Sequence, residues 1–78
     1  MKLRELYCAC IPMSGITQFR FYTMGTIYHR HDEDVCYALY NRWDDVPYLL
    51  KDDMVIVFEY DKEYDVLHVV IKSDELFV

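Results

Sequence analysis

Residues 54–60 read MVIVFEY, residues 66–72 read VLHVVIK, and the five residues between them read DKEYD. Two runs rich in β-branched residues that flank a charged segment of this length predict a β-hairpin. Both runs are nearly continuously apolar, which is typical of strands that are covered on both faces. We therefore expect this hairpin to organise the fold, with Ile56 and Val69 as core residues.

A second hairpin is predicted upstream. Residues 17–23 read TQFRFYT and residues 26–30 read TIYHR, and Met24 and Gly25 separate the two runs. Aromatic and β-branched runs around a short glycine-containing turn predict antiparallel strands. We expect Gly25 to supply a positive φ in this turn.

The opening of the chain predicts a helix over residues 2–11. Leu3, Leu6, Tyr7 and Cys10 follow the i, i+3, i+4, i+7 spacing of one helix face. Pro12, two residues beyond Cys10, is expected to end the helix.

The middle of the chain predicts a second helix over residues 33–43. Val35, Leu39 and Trp43 keep helical spacing, and Asp32 is a candidate N-cap. Residues 35–40 also favour a strand, and the pattern leaves this alternative open. Residues 44–53 are expected to form a connector that Val46, Leu49 and Leu50 hold against the core, and residues 73–78 a loose end or a short addition to a sheet edge.

These elements give the order α-β-β-α-β-β within a single domain, residues 1–78. The fold class expected is α+β, with a small antiparallel sheet of two β-hairpins and two short helices packed on one face. A chain of 78 residues has room for one domain only.

The charge of the chain restricts its partners. The net charge is −6, with five basic and four acidic residues in 1–43 and three basic and ten acidic residues in 44–78. A surface of this sign repels phosphate, so direct binding to nucleic acid or to an anionic membrane is disfavoured. Basic surfaces of other proteins are the expected partners. The absence of a signal-peptide pattern and of a 20-residue apolar run, with an odd count of three cysteines, predicts a cytoplasmic protein with reduced thiols.

Metal-binding and catalytic patterns are weak. His29 and His31 would share one face of a strand, and Cys8, Cys10, Cys36 and His68 offer further nitrogen and sulfur atoms. The pair spacings typical of zinc sites are absent, so we expect no metal and no cofactor, and a metal or small-ligand sensor is the weakest hypothesis. Carboxylate doublets such as Asp44 and Asp45 suit solvated loops as well as acid–base chemistry, and we expect no enzyme activity.

Tyrosine beside acidic residues is the most informative feature. Tyrosine is enriched at protein interfaces, and carboxylates next to it would contact Arg or Lys groups of a partner. We therefore expect a non-enzymatic protein-binding domain whose carboxylates stand in for phosphates and whose aromatic rings act as anchors. The predicted partner-binding residues are Trp43, Asp44, Asp45, Asp52, Asp53, Tyr60, Asp61, Glu63, Tyr64 and Asp65.

The chain also resembles a group of proteins in its overall pattern. An opening of MKLREL at 1–6, FRFY at 19–22, a glycine turn and VLHVVI at 66–71 resemble the small acidic proteins of phages and prophages. Some of those proteins are similar in size and charge to anti-CRISPR and other anti-defence inhibitors. The resemblance implies an inhibitor of a nucleic-acid-binding defence effector in the host cytoplasm, and it assigns no functional residue.

A second hypothesis comes from the C-terminal hairpin itself. One sheet with two short helices cannot cover both faces of two continuously apolar strands. A homo-oligomeric structural or accessory protein would cover them by burying the hairpin in a homodimer.

Overall fold

The computed structural model describes residues 1–9 and 15–72. Six regular elements appear in chain order, with three single-turn 3₁₀ helices between them at Ile27–His29, Glu33–Val35 and Trp43–Asp45. The regular elements are α1 (Leu3–Ala9), β1 (Gln18–Phe21), β2 (Ala38–Tyr40), α2 (Tyr48–Lys51), β3 (Val55–Asp61) and β4 (Val66–Ile71).

The C-terminal hairpin is confirmed. β3 and β4 pair antiparallel, with Phe58 opposite Val69 and Tyr60 opposite Leu67. A shift in register between Val55 and Val57 places a bulge near the start of β3. The four strands form one sheet in the order β2-β1-β4-β3, so β4 is a central strand and β3 is an edge strand.

The α+β class is confirmed, with four strands and two short helices, but the second strand and the second helix lie at other residues than expected. The sheet, however, is mixed rather than antiparallel. β1 pairs parallel to β4, with Phe19 opposite Leu67 and Phe21 opposite Val69, and antiparallel to β2. The difference arises because β4 lies between β3 and β1, so that the antiparallel pairs β1–β2 and β3–β4 are joined by a parallel contact between β1 and β4.

The predicted N-terminal hairpin is wrong in its second strand. Thr23 and Thr26 exchange hydrogen bonds, each backbone N–H donating to the other's Oγ1 at 2.9 and 3.1 Å. This pairing tightens the chain into the 3₁₀ helix Ile27–His29, and Gly25 has no positive φ. β1 instead takes β2, at residues 38–40, as its antiparallel neighbour.

The predicted helix over 33–43 is also wrong, and the alternative strand is confirmed at residues 38–40. The apolar residues of this segment divide between the two faces of the sheet. Val35 and Cys36 pack with Tyr22 and Val70 on one face, whereas Tyr40 and Trp43 pack on the other. A single helix cannot serve both faces, so the chain crosses the sheet edge as a strand.

The second helix lies in the segment expected to be a connector. α2 follows Pro47, and Val46 and Leu50 are buried as expected. Leu49 is wrong as a core residue because its position on α2 leaves it 87% exposed. The helix prediction over 2–11 is confirmed for Leu3–Ala9. Its end and the predicted break at Pro12 lie outside the described residues, as does the tail 73–78.

The core lies on both faces of the central strands. On one face, α1 and α2 cover Phe19, Leu67 and Val69. On the other, a smaller cluster of Tyr22, Ile27 and Val70 is covered by the irregular segment between β1 and β2. All six residues of β4 are buried, so the chain itself supplies the two-sided cover that this strand requires.

Candidate protein-interaction surface

The outer edge of β3 is the most exposed apolar feature of the sheet. Ile56, Val57 and Phe58 are 46%, 39% and 44% exposed, although their sequence resembles that of the buried strand β4. Ile56 is therefore wrong as a core residue. The exposure of these side chains follows from the strand order, because β3 is an edge strand and has a neighbouring strand on one side only.

The first residues of the chain occupy the start of this edge. The Met54 carbonyl accepts a hydrogen bond from Lys72 N–H at 2.8 Å on the β4 side. The next N–H, of Val55, points the opposite way across the planar peptide and donates to the Met1 carbonyl at 2.8 Å. Lys2 thereby forms an antiparallel bridge with Met54. The chain pairs a basic residue with the beginning of the β3 edge.

Beyond this bridge, residues 56–61 have no outer strand partner within the described parts of the chain. The Val69 carbonyl accepts from Tyr22 N–H on the side away from β3. Its register partner Phe58 therefore directs its own N–H and C=O away from β4, as an antiparallel ladder requires. An outward backbone donor and acceptor among exposed apolar side chains form a template for strand pairing.

Acidic residues lie at both ends of this edge. Asp52 and Asp53 precede β3, Asp61 ends it, and the turn to β4 adds Glu63 and Asp65. The two groups lie about 25 Å apart, at the usual rise of a strand. Seven of the ten predicted partner-binding residues thus belong to β3 and its flanks, in two groups rather than in one cluster: Asp52, Asp53, Tyr60, Asp61, Glu63, Tyr64 and Asp65.

The remaining three predicted residues, Trp43, Asp44 and Asp45, lie together in a 3₁₀ helix away from this edge. The Trp43 ring is half-buried and stacks on Tyr7, with centroids 4.1 Å apart. Lys51, which is buried, places its Nζ 4.9 Å from the centroid of the same ring. Trp43 therefore has a packing role, whereas Asp44 and Asp45 are exposed.

Two acids of the turn also have internal roles. The Oδ1 atom of Asp61 accepts from the N–H of Glu63 at 2.9 Å, and Asp65 accepts from the Tyr60 hydroxyl at 2.7 Å. That hydrogen bond raises the pKa of Tyr60 above its ordinary value. Asp65 also has a positive φ of 54°, which Asp tolerates better than most residues. Glu63 and Tyr64 remain exposed.

The face opposite the helices carries a polar cavity that the sequence did not indicate. Its volume is about 310 Å³. The polar side chains that line it are Arg20, Arg30, His31, Asp61, Tyr64 and His68. They come from β1, β4, the end of β3, the hairpin turn and the segment after the first 3₁₀ helix. They meet because β1 and β4 are parallel neighbours, and no local pattern predicts that pairing.

His68 is the buried titratable group of this cavity. It is 3% exposed, and burial, followed by the positive charge of Arg20, lowers its pKa to about 4. Its Nδ1 lies 2.8 Å from the Tyr22 hydroxyl, which lies 3.3 Å from the Arg30 carbonyl. A neutral ring protonated on Nδ1 satisfies both contacts, because Nδ1–H donates to Tyr22 and the Tyr22 hydroxyl donates to Arg30.

The histidines do not form the pair that the sequence suggested. His29 belongs to a 3₁₀ helix rather than a strand, and both His29 and His31 are exposed. Within residues 1–9 and 15–72, no group of three or more His, Cys, Asp or Glu side chains is placed to hold a metal ion. The geometric basis of the metal-sensor hypothesis is therefore missing from this part of the chain.

Comparisons with protein-family models, curated proteins and solved structures give no match to this chain. In the described segments, no helix has the length and apolar character needed to span a membrane.

Proposed function

We propose that the protein is a binding domain that acts without catalysis, by pairing the outer edge of β3 with an extended, basic segment of another protein. The observation that carries this proposal is the edge itself. Phe58 directs its backbone N–H and C=O outward, next to the exposed side chains of Ile56 and Val57. Addition of a strand to an open sheet edge is a common mode of peptide recognition.

The charge of the surrounding surface supports a basic partner. Asp53 lies before the edge and Asp61 ends it. Asp52 and Glu59 add to this charge but already form ion pairs with Arg4 and Arg30. Complementary charge accelerates association and excludes partners of the wrong sign. At the start of the same edge the chain itself pairs Lys2 with Met54 through backbone hydrogen bonds. A nuclease whose basic surface the protein blocks is one specific form of such a partner, and this form stays a prediction.

The alternative is a homodimer in which β3 pairs with β3 of a second copy. The exposed apolar edge favours this too, but the charges oppose it. In antiparallel pairing Asp53 of one copy would lie near Asp61 of the other, and in parallel pairing each acid would face its own counterpart. Like charges directly across a strand pair are destabilising. Light scattering that shows a dimer at micromolar concentration would favour this alternative.

The binding proposal is tested by titrating the isotope-labelled protein with the peptide acetyl-Lys-Thr-Ser-Thr-Lys-Thr-Lys-amide. We expect the amide signals of residues 56–61 to shift and their hydrogen exchange to slow. We expect the affinity to fall about 10-fold or more between low and high salt, because exposed charges are screened. Shifts confined to the 3₁₀ helix at Trp43–Asp45, or no binding, would contradict the proposal.

A matched pair of variants isolates the backbone contribution. Phe58→Ala removes the side chain and keeps the outward N–H, whereas Phe58→Pro also removes the N–H. Proline is tolerated on the open side of an edge strand. We expect Phe58→Pro to bind the peptide about 10-fold more weakly than Phe58→Ala, with both variants folded by circular dichroism. Equal affinities would mean that the edge is not used for pairing.

A second pair isolates the charge. Glu63→Lys and Asp45→Lys change the net charge equally, and both side chains are exposed. Only Glu63 lies next to the β3 edge. We expect Glu63→Lys to weaken peptide binding severalfold more than Asp45→Lys does. The opposite ranking would move the binding surface to the 3₁₀ helix at Trp43–Asp45.

A further inference from the structure

A groove runs beside the β3 edge on the face opposite the helices. Its volume is about 320 Å³, and its walls are Val57 and Glu59 of β3 on one side and Met24, Ile27 and Tyr28 on the other. Met24 and Tyr28 are exposed, Tyr28 to 74%, while Ile27 is buried at the base. An apolar space of this size suits one large side chain.

The position of the groove relates it to the pairing edge. Val57 lies opposite Val70 and Glu59 opposite His68, so both side chains project on the face that carries Tyr22 and Ile27. Successive side chains of a strand alternate between faces. A segment that pairs outside β3 would therefore direct every second side chain to this face, and the one beside Val57 would enter the groove.

The charges at the groove select the chemistry of that side chain. Arg30 lines the groove and forms an ion pair with Glu59 through its Nε. The guanidinium group repels a second cation, so a Lys or Arg side chain is disfavoured in the groove itself. Further along the same face Asp61, four residues beyond Val57, adds negative charge, which favours a basic residue four positions away in the segment.

We propose that this groove is a specificity pocket that takes an aliphatic or aromatic side chain of the basic segment paired with β3. The inference rests on the proposed function and adds a sequence requirement to it. The bound segment carries a large apolar residue facing the groove, with basic residues at alternate positions beyond it. The groove thus distinguishes such a segment from a uniformly basic one.

The test compares peptides acetyl-Lys-Thr-X-Thr-Lys-Thr-Lys-amide in which X is Leu, Phe, Ser or Lys. We expect the Leu and Phe peptides to bind about 10-fold more tightly than the Ser peptide, because burial of a large apolar side chain is favourable by at least that factor. We expect the Lys peptide to bind no better than the Ser peptide. The readout is calorimetry at one fixed salt concentration.

Two tyrosines of equal exposure provide the matched control. Tyr28 borders the groove and Tyr48 lies on α2, and both are 74% exposed. We expect Tyr28→Ser to reduce the ratio of Leu to Ser affinity to about 3-fold or less, and Tyr48→Ser to leave it unchanged. An equal loss in both variants would overturn the groove assignment.

The outcomes separate the two proposals. If the Ser and Leu peptides bind equally well at residues 56–61 and both lose affinity with salt, the assignment of the groove as a specificity pocket is overturned and the proposed function stands. If none of the four peptides binds, the proposed function is overturned, and the groove proposal is overturned with it. A Lys peptide that binds most tightly would show that charge alone selects the segment.

Discussion

The two strands of the C-terminal hairpin have similar sequences and opposite environments. β4 is buried at all six positions, whereas Ile56 through Glu59 of β3 are exposed. Both strands contain β-branched residues in nearly unbroken runs. β4 has β1 and β3 as neighbours, and β3 has β4 alone. Position in the sheet, rather than composition, decides which apolar strand becomes core.

The difference between the two strands makes the outer edge of β3 the candidate functional surface. A central strand needs apolar residues on both faces to pack, so the sequence of β4 is accounted for by stability alone. An edge strand is ordinarily protected by charges, proline or short length. β3 has seven residues and exposes three consecutive apolar side chains, which stability does not require.

The largest predicted effect contrasts one residue type in the two strands. Ile71 of β4 is fully buried, and Ile56 of β3 is 46% exposed. We expect Ile71→Ala to lower the free energy of unfolding by about 2–5 kcal/mol through the cavity that it leaves. We expect Ile56→Ala to lower it by less than about 1 kcal/mol. Urea denaturation at pH 7 measures both, and equal losses would show that the edge is as tightly packed as the centre.

The next effect concerns His68, a buried residue of β4. The pKa of His68 is lowered from 6.5 to about 4 in the folded protein. The unfolded chain therefore binds a proton between these values while the folded protein does not, so stability falls as the pH drops from 6.5 to 4. The expected loss is about 2–3 kcal/mol.

The control for this prediction removes one histidine at a time. His68→Gln should flatten that part of the pH profile of unfolding, and His29→Gln should not, because His29 is exposed. The carboxylates titrate in all three proteins, so the difference between the profiles isolates His68. Identical profiles for the protein and His68→Gln would contradict the buried neutral state.

The smallest effect concerns Asp65, the residue that joins the turn to β4. Its positive φ and its hydrogen bond from Tyr60 both favour Asp or Asn. We expect Asp65→Ala to cost about 1–2 kcal/mol of unfolding free energy, from the lost hydrogen bond and the strained backbone. Asp65→Asn should cost less than half as much. Thermal denaturation at pH 7 ranks the two variants, and equal stabilities would show that the turn does not require Asp or Asn at this position.

The sequence by itself determined those elements whose signals are local. The hairpin of β3 and β4 follows from two β-branched runs around a polar turn, and α1 follows from the spacing of Leu3, Leu6 and Tyr7. These patterns depend on neighbours within a few residues, so they survive without knowledge of the remainder of the chain. The α+β class follows from them.

Only the tertiary structure decided the segment between β1 and α2. Helical spacing from Val35 to Trp43 predicted a helix, but these residues pack on opposite faces of the sheet. Local periodicity counts apolar positions and does not record which surface each one contacts. A strand that crosses the sheet edge satisfies both surfaces, and a helix satisfies one.

The candidate site also has features that the sequence indicates and features that only the tertiary structure decides. The acids of the hairpin turn and the tyrosines beside them could be identified from the sequence, because polar turns lie at the surface. The open edge of β3, the groove beside Val57 and the burial of His68 could not be identified. They depend on β4 inserting between β1 and β3. That arrangement is chosen by long-range packing, since two apolar strands of like sequence are equally suited to the centre until a third strand pairs with one of them.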